Sequence, residues 1–189
     1  SLNMDTTAMT VIVMPVYEDR DACVQLLREL AVLEDAADLY VVAVDDGSMR
    51  RPLTVADLES EGIQGELLKL RRNVGHQMAI AIGLRHVSQS LKDGQSVIVM
   101  DSDGEDSPQS VSTLLSALGT LETDVVVAQR KHRDNSLGFK WAYLGYKHVF
   151  RWLTGRSMAF GNFMALSPVA VRRLVCMPEL PIHLAASVL

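Results

Sequence analysis

The chain has little of what would place it in a specialised class. Its 189 residues include only two cysteines, Cys23 and Cys176, which lie far apart and leave no metal-binding spacing. Both stand among aliphatic residues, so we expect buried free thiols in a reducing compartment. No apolar run reaches the roughly 18–20 residues that a membrane-spanning helix needs. Neither a disulfide-stabilised fold nor a membrane span is therefore predicted from these residues.

Basic residues are outnumbered by acidic ones. The chain has 18 Lys and Arg against 23 Asp and Glu, which gives a formal net charge of −5. This balance provides no general attraction to nucleic acid, so no nucleic-acid partner is expected and any anion site must be local. A hydrophobic content of 48% with 22% charged residues is ordinary for a globular protein. The length suits one domain.

A phosphate-binding glycine loop is also absent. Pro15-Val16-Tyr17-Glu18 follows the first predicted strand, where a dinucleotide-binding domain would carry a glycine-rich turn. The chain has no Walker loop, no serine-centred elbow and no Cys/His pair at workable spacing. What remains for an acidic site in such a chain is a metal-bridged diphosphate.

Short β-branched runs alternate with amphipathic segments along the chain. This pattern predicts an α/β fold, with a mostly parallel, Rossmann-like central sheet sandwiched by helices. Strands are predicted at Val11–Val16, Tyr40–Val44, Glu66–Leu70, Val97–Met100, Val125–Ala128 and Phe160–Leu166. Helices are predicted at Asp21–Leu33, at Pro52–Glu59, from after Gly75 to Val87, at Gln109–Leu118 and at Ser167–Leu174.

An acidic stretch follows the fourth predicted strand. Asp101, Asp103 and Glu105 come directly after Val97–Met100. Alternate residues of an extended chain share one side, so these carboxylates would converge if the chain stays extended. Such a cluster needs a cation, and Mg²⁺ prefers one or two carboxylates plus substrate phosphates. The hypothesis is a metal–diphosphate site at the end of a central strand.

The same stretch has a simpler interpretation as a solvated loop that caps the next helix. Ser107 is a good N-cap and Pro108 a good first helical residue. The two interpretations are compatible, because one residue can cap the helix while another binds metal.

Polar residues follow the predicted strands. The strand ends carry Pro15-Val16-Tyr17, Asp45-Asp46-Gly47-Ser48, Arg71-Arg72-Asn73 and Asp101-Ser102-Asp103. Parallel α/β sheets bind ligands beyond the carboxyl ends of their strands. We therefore expect the functional site at this edge.

Four motifs, each at a strand end, resemble the successive signatures of one family. They are Val13-Met14-Pro15-Val16-Tyr17, Val44-Asp45-Asp46-Gly47-Ser48, Arg72-Asn73-Val74-Gly75-His76 with Ala79, and Met100-Asp101-Ser102-Asp103 with Pro108. The chain thus resembles family 2 glycosyltransferases with the GT-A fold, over nearly all of Met9–Glu179. Within that family it is most similar to the dolichol-phosphate mannosyltransferase-like and bactoprenol glucosyltransferase-like branch.

The resemblance implies a binding site for a UDP- or GDP-linked sugar. It implies that Pro15 and Tyr17 flank the nucleobase and that Asp46 binds the base or ribose. Arg72 and Gly75 would lie near the nucleotide, although Arg72 could equally be a solvated charge. The same resemblance assigns Val16, Glu18, Asp45 and Ser102 to the nucleotide-sugar site.

The resemblance also implies the groups that carry the reaction. Asp101 would hydrogen-bond the ribose or sugar, and Asp103 would ligate Mg²⁺ or Mn²⁺, with Glu105 as a second ligand. Arg130 would bind the diphosphate or the acceptor phosphate, unless it belongs to an exposed charge run. The implied catalytic residues are Asp101, Asp103 and Arg130, in an inverting transfer to a polyprenyl-phosphate-type lipid.

Two departures from the family pattern concern the donor and the acceptor. Tyr17-Glu18-Asp19 replaces the family's Tyr-Asn-Glu, which puts the base or ribose contact in doubt. Asn162 stands where relatives usually carry an aspartate, and an amide cannot take a proton. A phosphate monoester, with a second pKa near ~6, is mostly ionised at neutral pH and needs no base. Asn162 is then tolerable with a lipid-phosphate acceptor, or it is structural while Asp134 or another carboxylate serves.

Aromatic residues make up only 5% of the chain, and most of them lie in Gly138–Gly155 among lysines and arginines. This segment predicts a helix at a membrane surface or, alternatively, one packed on the sheet with wet basic side chains. We expect a single catalytic domain over 4–189, with residues 1–3 a cloning remnant and a C-terminal segment missing. The expected location is the cytoplasmic side of a bacterial membrane, where the enzyme would serve cell-envelope biosynthesis, with a homo-oligomer possible.

Three other functions stay open at this point. The chain could act on a polysaccharide or antigen acceptor, or bind a nucleotide sugar with little turnover. A nucleotidyltransferase also uses an acidic metal site, but its early Gly/Lys-rich loop is not seen here.

Overall fold

The protein is described by a computed structural model over residues 9–128 and 163–177. Six strands form one sheet: β1 (Thr10–Val16), β2 (Leu39–Asp45), β3 (Gly65–Lys69), β4 (Ser96–Val99), β5 (Val125–Val127) and β6 (Met164–Leu166). The helices are α1 (Arg20–Ala31), α2 (Val55–Ser60), α3 (His76–Ser88), α4 (Ser110–Thr120) and α5 (Pro168–Val175). The predicted α/β class is confirmed, and each of these elements was predicted from the sequence within a few residues.

The sheet is mostly parallel, as predicted, with one strand reversed. Its strand order is β3-β2-β1-β4-β6-β5. Strands β1 to β4 run parallel, whereas β6 pairs antiparallel with both β4 and β5. Leu166 stands opposite both Val97 and Val125. The reversed direction of β6 was not predicted.

Alternation along the strands builds two hydrophobic layers. In β1, Val11 and Val13 pack in the layer that contains α3 and α5, and Ile12 and Met14 pack in the layer of α1, α2 and α4. All four side chains are fully buried. A strand buried on both faces reads as a continuous apolar run, which is why β1 and β2 are so evident in the sequence.

Close packing fixes the position of α3 against the sheet. A Cβ atom at Gly83 would lie 2.5 Å from Cγ1 of Val13 in β1 and 3.0 Å from Cγ2 of Val44 in β2. The absence of a side chain at Gly83 therefore lets the helix lie directly on the two central strands. This packing brings the first residues of α3 to the carboxyl edge of the sheet.

Two local predictions are wrong. Helix α4 begins at Ser110, because the chain first turns with Ser110 N–H donating to Ser107 O and Val111 N–H donating to Pro108 O. The hydroxyl of Ser107 donates to Oε1 of Gln109 and caps nothing. Cys23 is buried and its pKa is raised to about 12 by that burial, but Cys176 is exposed.

No helix within residues 9–128 and 163–177 is long and apolar enough to cross a membrane.

Candidate active site

A cavity of about 280 Å³ opens at the carboxyl edge of the sheet. Its wall takes residues from the ends of four parallel strands, as expected of a binding site at this edge. The lining residues are Pro15, Val16, Tyr17, Asp19, Asp46, Asn73, His76, Asp101, Ser102 and Asp103. Strand order reverses between β1 and β4, so the cavity lies at the topological switch point where such sheets bind ligands.

Asp101 is held by two neighbours. Its backbone N–H donates to Oδ2 of Asp106 at 3.0 Å, and Asp106 is only 2% exposed. Its Oδ1 lies 3.1 Å from Nε2 of His76, the first residue of α3. Asp101 is therefore fixed through both backbone and side chain at the cavity wall.

The imidazole of His76 faces a strongly acidic environment. The hydrogen bond to Asp101 raises the pKa of His76, burial opposes the rise, and the charges of Asp101, Asp103 and Asp46 add to it. The electrostatics of the cavity thus favour a protonated histidine among carboxylates.

Asp103 also lines the cavity, but the predicted cluster of three carboxylates does not form. Strand β4 ends at Val99, and the chain then turns, with Glu105 N–H donating to Oδ1 of Asp103 at 2.9 Å. Glu105 is exposed and is not among the lining residues. In the part of the chain that the structure describes, no three His, Cys, Asp or Glu side chains form a metal-holding group. The condition on which the convergence of these carboxylates depended, an extended chain past Met100, is therefore not met.

Asp46 ties two loops of the cavity together. Its carboxylate accepts the backbone N–H groups of Val74 at 2.7 Å and Gly75 at 2.9 Å. The adjacent Gly47 has φ +76, and a Cβ atom there would lie 2.5 Å from the carbonyl carbon of Arg72. Only glycine fits this close approach. The loops after β2 and β3 thus form one continuous wall.

The match to known proteins covers most of the chain. The model of "Glycosyl transferase family 2" matches residues 11–173. The chain belongs to glycosyl transferase family 2.

Curated relatives of this family 2 chain carry names that specify a lipid acceptor. The chain is 31% identical over 152 residues to an undecaprenyl-phosphate 4-deoxy-4-formamido-L-arabinose transferase of Klebsiella pneumoniae, covering 78% of this chain and 44% of that protein. It is 30% identical over 151 residues to the protein of the same name from Erwinia tasmaniensis, covering 78% and 45%. The chain therefore spans less than half the length of the curated relatives it matches.

Solved structures establish the GT-A fold. The chain is similar to S. aureus TarS 1–349, with TM-score 0.53, 20% identity and coverage of 68% of this chain and 38% of that one. It is similar to the M. tuberculosis glucosyl-3-phosphoglycerate synthase, with TM-score 0.55, 16% identity and coverage of 86% and 58%. The mannosyltransferase PcManGT of Pyrobaculum calidifontis, solved with GDP-Man and Mn2+, gives TM-score 0.52 at 17% identity, covering 68% and 37%.

The structure brings most of the predicted donor-site residues of this family 2 domain to the cavity. Those in its wall are Pro15, Val16, Tyr17, Asp46, Asp101, Ser102 and Asp103. Gly75 does not line the cavity; its φ is +94, and a Cβ atom there would meet none of the described residues beyond its chain neighbours. Arg72 is exposed and does not line the cavity.

Asp45 and Glu18 bond to backbone groups instead. Asp45 is 2% exposed, and its Oδ1 accepts the N–H of Ser48 at 2.9 Å. Glu18 accepts the N–H of Met49 at 2.8 Å. Neither residue lines the cavity. Their assignment to donor binding stays a prediction.

The remaining predicted positions lie outside the described residues. These are Arg130, Asn162, Asp134 and the aromatic segment Gly138–Gly155.

Three cavity residues were missed by sequence reasoning: Asp19, Asn73 and His76. Asn73 and His76 stand inside the motif Arg72–His76, and Asp19 follows Tyr17 by two residues, so each had a local signal. Nothing in the sequence shows that the first residue of α3 faces Asp101, because that contact joins residues 25 positions apart.

Proposed function

We propose that this family 2 domain transfers a sugar from a nucleoside diphosphate sugar to a polyprenyl-phosphate-type lipid, with a divalent cation and with inversion. The donor is UDP- or GDP-linked. Support for the donor comes from the family, and support for the acceptor comes from the names of the curated relatives.

The observation that carries the proposal is the charge of the cavity. Four carboxylates line it, those of Asp19, Asp46, Asp101 and Asp103, against one imidazole, that of His76, and among the described residues the lining includes no lysine or arginine. A diphosphate anion would be repelled by this wall unless a cation lies between them. An acidic cavity in a glycosyltransferase therefore favours a donor that enters together with a metal ion.

The residues fit Mg²⁺ or Mn²⁺ as a cofactor. Mg²⁺ is usually held by one or two carboxylates plus substrate phosphates and waters, so a complete protein cage is not required. Asp103 is exposed at the cavity and offers oxygen atoms, and we propose it as the protein ligand, with Glu105 as the second ligand only if its loop moves. When bound, the metal would neutralise charge on the leaving diphosphate.

The chain's own residues would orient the donor for displacement. Asp101, which is fixed by Asp106 and His76, accepts a hydrogen bond from a hydroxyl of the ribose or sugar. Pro15 and Tyr17 flank the base, and Asp46 contacts the base or ribose. The bond from the anomeric carbon to the β-phosphate oxygen breaks, its electron pair leaves with the nucleoside diphosphate, and an acceptor oxygen bonds the carbon from the opposite face.

A lipid phosphate would be a suitable acceptor oxygen. Its second pKa near ~6 leaves it mostly ionised at neutral pH, so no protein base is needed. This is why Asn162, in place of the carboxylate usual in relatives, is compatible with activity, and Arg130 would attract the acceptor phosphate. We further propose that Gly138–Gly155 contacts the cytoplasmic membrane surface, where such a lipid resides.

Donor binding is tested first by thermal shift. Binding stabilises the native state by mass action, so the right nucleotide raises the melting temperature. UDP, GDP and their sugar derivatives are compared with and without Mn²⁺. We expect a shift that needs metal and is lost in Asp103→Ala. A shift of equal size without metal contradicts the metal proposal.

The acceptor is tested by turnover. Release of nucleoside diphosphate is measured with undecaprenyl phosphate in detergent and, separately, with a simple sugar alcohol. We expect turnover with the lipid phosphate alone. Turnover with the sugar alcohol only favours a polysaccharide or antigen acceptor, and donor binding without turnover on either favours a binding domain.

A further inference from the structure

Glu18 has an unusual backbone conformation. Its φ is +52, in the left-handed region that side chains with a Cβ atom rarely adopt. The residue lies between β1 and α1, at the edge where the cavity opens. Left-handed residues other than glycine persist where surrounding contacts over-determine them, and they cluster at functional sites.

Those contacts come from the loop after β2. Glu18 donates its N–H to the hydroxyl of Ser48 at 2.9 Å. Its carboxylate accepts the N–H of Met49 at 2.8 Å and lies 3.3 Å from the N–H of Arg50 through each oxygen. Ser48 is itself held by Asp45. We call this set of contacts between Glu18 and residues 48–50 the loop clip.

The residues on either side of Glu18 line the cavity, but Glu18 does not. Tyr17 and Asp19 both belong to the wall. The backbone turn at Glu18 sets the directions of both neighbours, because successive side chains depend on the φ and ψ between them. The clip joins this turn to the loop that contains Asp46, another wall residue.

We propose that Glu18 is a positioning residue: the loop clip holds Tyr17 and Asp19 in the donor-site wall. Its carboxylate is used by backbone N–H groups and does not contact the donor. The functional part of this inference rests on the proposed donor site, whereas the clip itself does not.

The test uses the full chain with two substitutions at Glu18. Glu18→Gly removes the carboxylate contacts of the clip, keeps the N–H that donates to Ser48 and tolerates φ +52, so loss of the carboxylate contacts is separated from backbone strain. Glu18→Gln keeps the side-chain length and one acceptor oxygen, which makes it the conservative rescue.

A matched control exists in the same chain. Glu122 is the other described residue with a side chain and a left-handed φ, +47, and it lies in the turn between α4 and β5. It is exposed and does not line the cavity. Glu122→Gly therefore relieves the same kind of strain without touching the proposed clip.

Amide hydrogen exchange by NMR reads out the clip directly. In Glu18→Gly, we expect the Met49 and Arg50 amides to exchange at least about tenfold faster, since each loses a charge-assisted acceptor. The resonances of Tyr17 and Asp19 should shift in this variant. Glu18→Gln should show partial protection, and Glu122→Gly should change none of these signals.

The affinity for the nucleotide tests whether the clip positions Tyr17 and Asp19. With Mn²⁺ present, whichever of UDP or GDP binds wild type should bind Glu18→Gly roughly tenfold more weakly, because a misplaced wall loses its contacts. Glu18→Gln should recover most of that loss. The melting temperature of Glu18→Gly without nucleotide should stay close to that of wild type, which excludes unfolding as the cause.

Several outcomes would overturn the inference. Unchanged exchange of Met49 and Arg50 in Glu18→Gly means that the Glu18 carboxylate does not hold the loop. Faster exchange with unchanged Tyr17 and Asp19 resonances makes the clip purely structural. Retained protection in Glu18→Gln together with full loss of affinity indicates direct donor contact. If wild type binds neither nucleotide, the proposed function fails, and the Tyr17 and Asp19 resonances alone decide the positioning role.

Discussion

Asp57 and Asp103 are two aspartates with different roles: Asp57 stabilises the fold, and Asp103 is proposed to bind a ligand. Asp57, in α2, is 6% exposed and pairs through both oxygens with the guanidinium of Arg20, while Thr54 donates to it from backbone and hydroxyl. Asp103 is exposed at the cavity, and one carboxylate oxygen accepts the N–H of Glu105. Both oxygens of Asp57 already accept hydrogen bonds within the fold, whereas Asp103 can still accept bonds from a ligand.

The pKa of Asp57 reflects these hydrogen bonds. Burial pushes the pKa of Asp57 up, but the hydrogen bonds from Arg20 and Thr54 outweigh burial and lower it. A lowered folded-state pKa means that this pair stabilises the fold above the unfolded pKa of Asp57. That stabilisation is lost as the pH falls through the folded value. The difference teaches that residue type alone does not mark a site, whereas the partners do.

Asp103→Ala should give the largest effect. We expect turnover to fall roughly a thousandfold, equivalent to about 4 kcal/mol of transition-state stabilisation, because charge on the leaving diphosphate loses its counter-ion. The measurement is nucleoside diphosphate release with Mn²⁺, and the melting temperature should not change. Glu105→Ala, two residues on but outside the cavity wall, should cost only a few-fold at most. Equal losses in the two variants would contradict the contrast.

Asp57→Asn should act on stability instead. Removing the charge of Asp57 should lower the free energy of unfolding at neutral pH, because the guanidinium of Arg20, whose side chain is 30% exposed, loses its ionic partner. Urea denaturation measures it. At a temperature where the variant is folded, its affinity for UDP or GDP should match wild type. A selective loss of affinity would place Asp57 in the site.

Asp106→Ala tests a residue that belongs to both categories. Asp106 is buried, yet it accepts the N–H of cavity residue Asp101. Leaving that N–H without its acceptor should cost about 2 kcal/mol of unfolding free energy. Turnover should also fall, though less than in Asp103→Ala. Urea denaturation and nucleoside diphosphate release measure the two effects, and a change in stability alone would make Asp106 purely structural.

His76→Gln should give the smallest effect, and only in its pH dependence. The pKa of His76 is raised by its hydrogen bond to Asp101, so protonation stabilises the fold fully below the unfolded value and less as pH rises through the folded value. The advantage in melting temperature of wild type over His76→Gln should therefore be largest near about pH 5, below the ordinary pKa of histidine, and should shrink as the pH rises through the raised pKa of His76. A pH-independent difference would contradict the ion pair.

The strands and helices could be predicted because each leaves a pattern of apolar residues within its own short stretch of sequence. β1 and β2 are continuous β-branched runs, and α1 shows apolar residues at helical spacing. The direction of β6 could not be predicted, because strand direction depends on the path of the chain between Ala128 and Phe163. The prediction that Ser107 caps a helix beginning at Pro108 failed because the chain forms a turn through Ser110 before the helix begins.

The sequence allowed us to predict that the site lies at the carboxyl edge of the sheet, but not the full set of residues that line it. Parallel strands deliver their carboxyl ends to one place, which gave seven of the wall residues. The turn at Gly104, with φ +78, takes Glu105 away from the cavity, and no spacing argument reveals it. The contact between His76 and Asp101 depends on how closely α3 approaches the sheet, which is set by Gly83.

The placement of β6 has a consequence for how the chain folds during synthesis. β5 does not pair with β4; β6, made later, inserts between them. Until Leu166 has emerged from the ribosome, β4 forms an open backbone edge of the four-stranded sheet β3-β2-β1-β4, at the end opposite β3. Such an edge is a template for pairing with other chains, so an interrupted nascent chain should aggregate, and a chaperone that shields β4 would raise the yield.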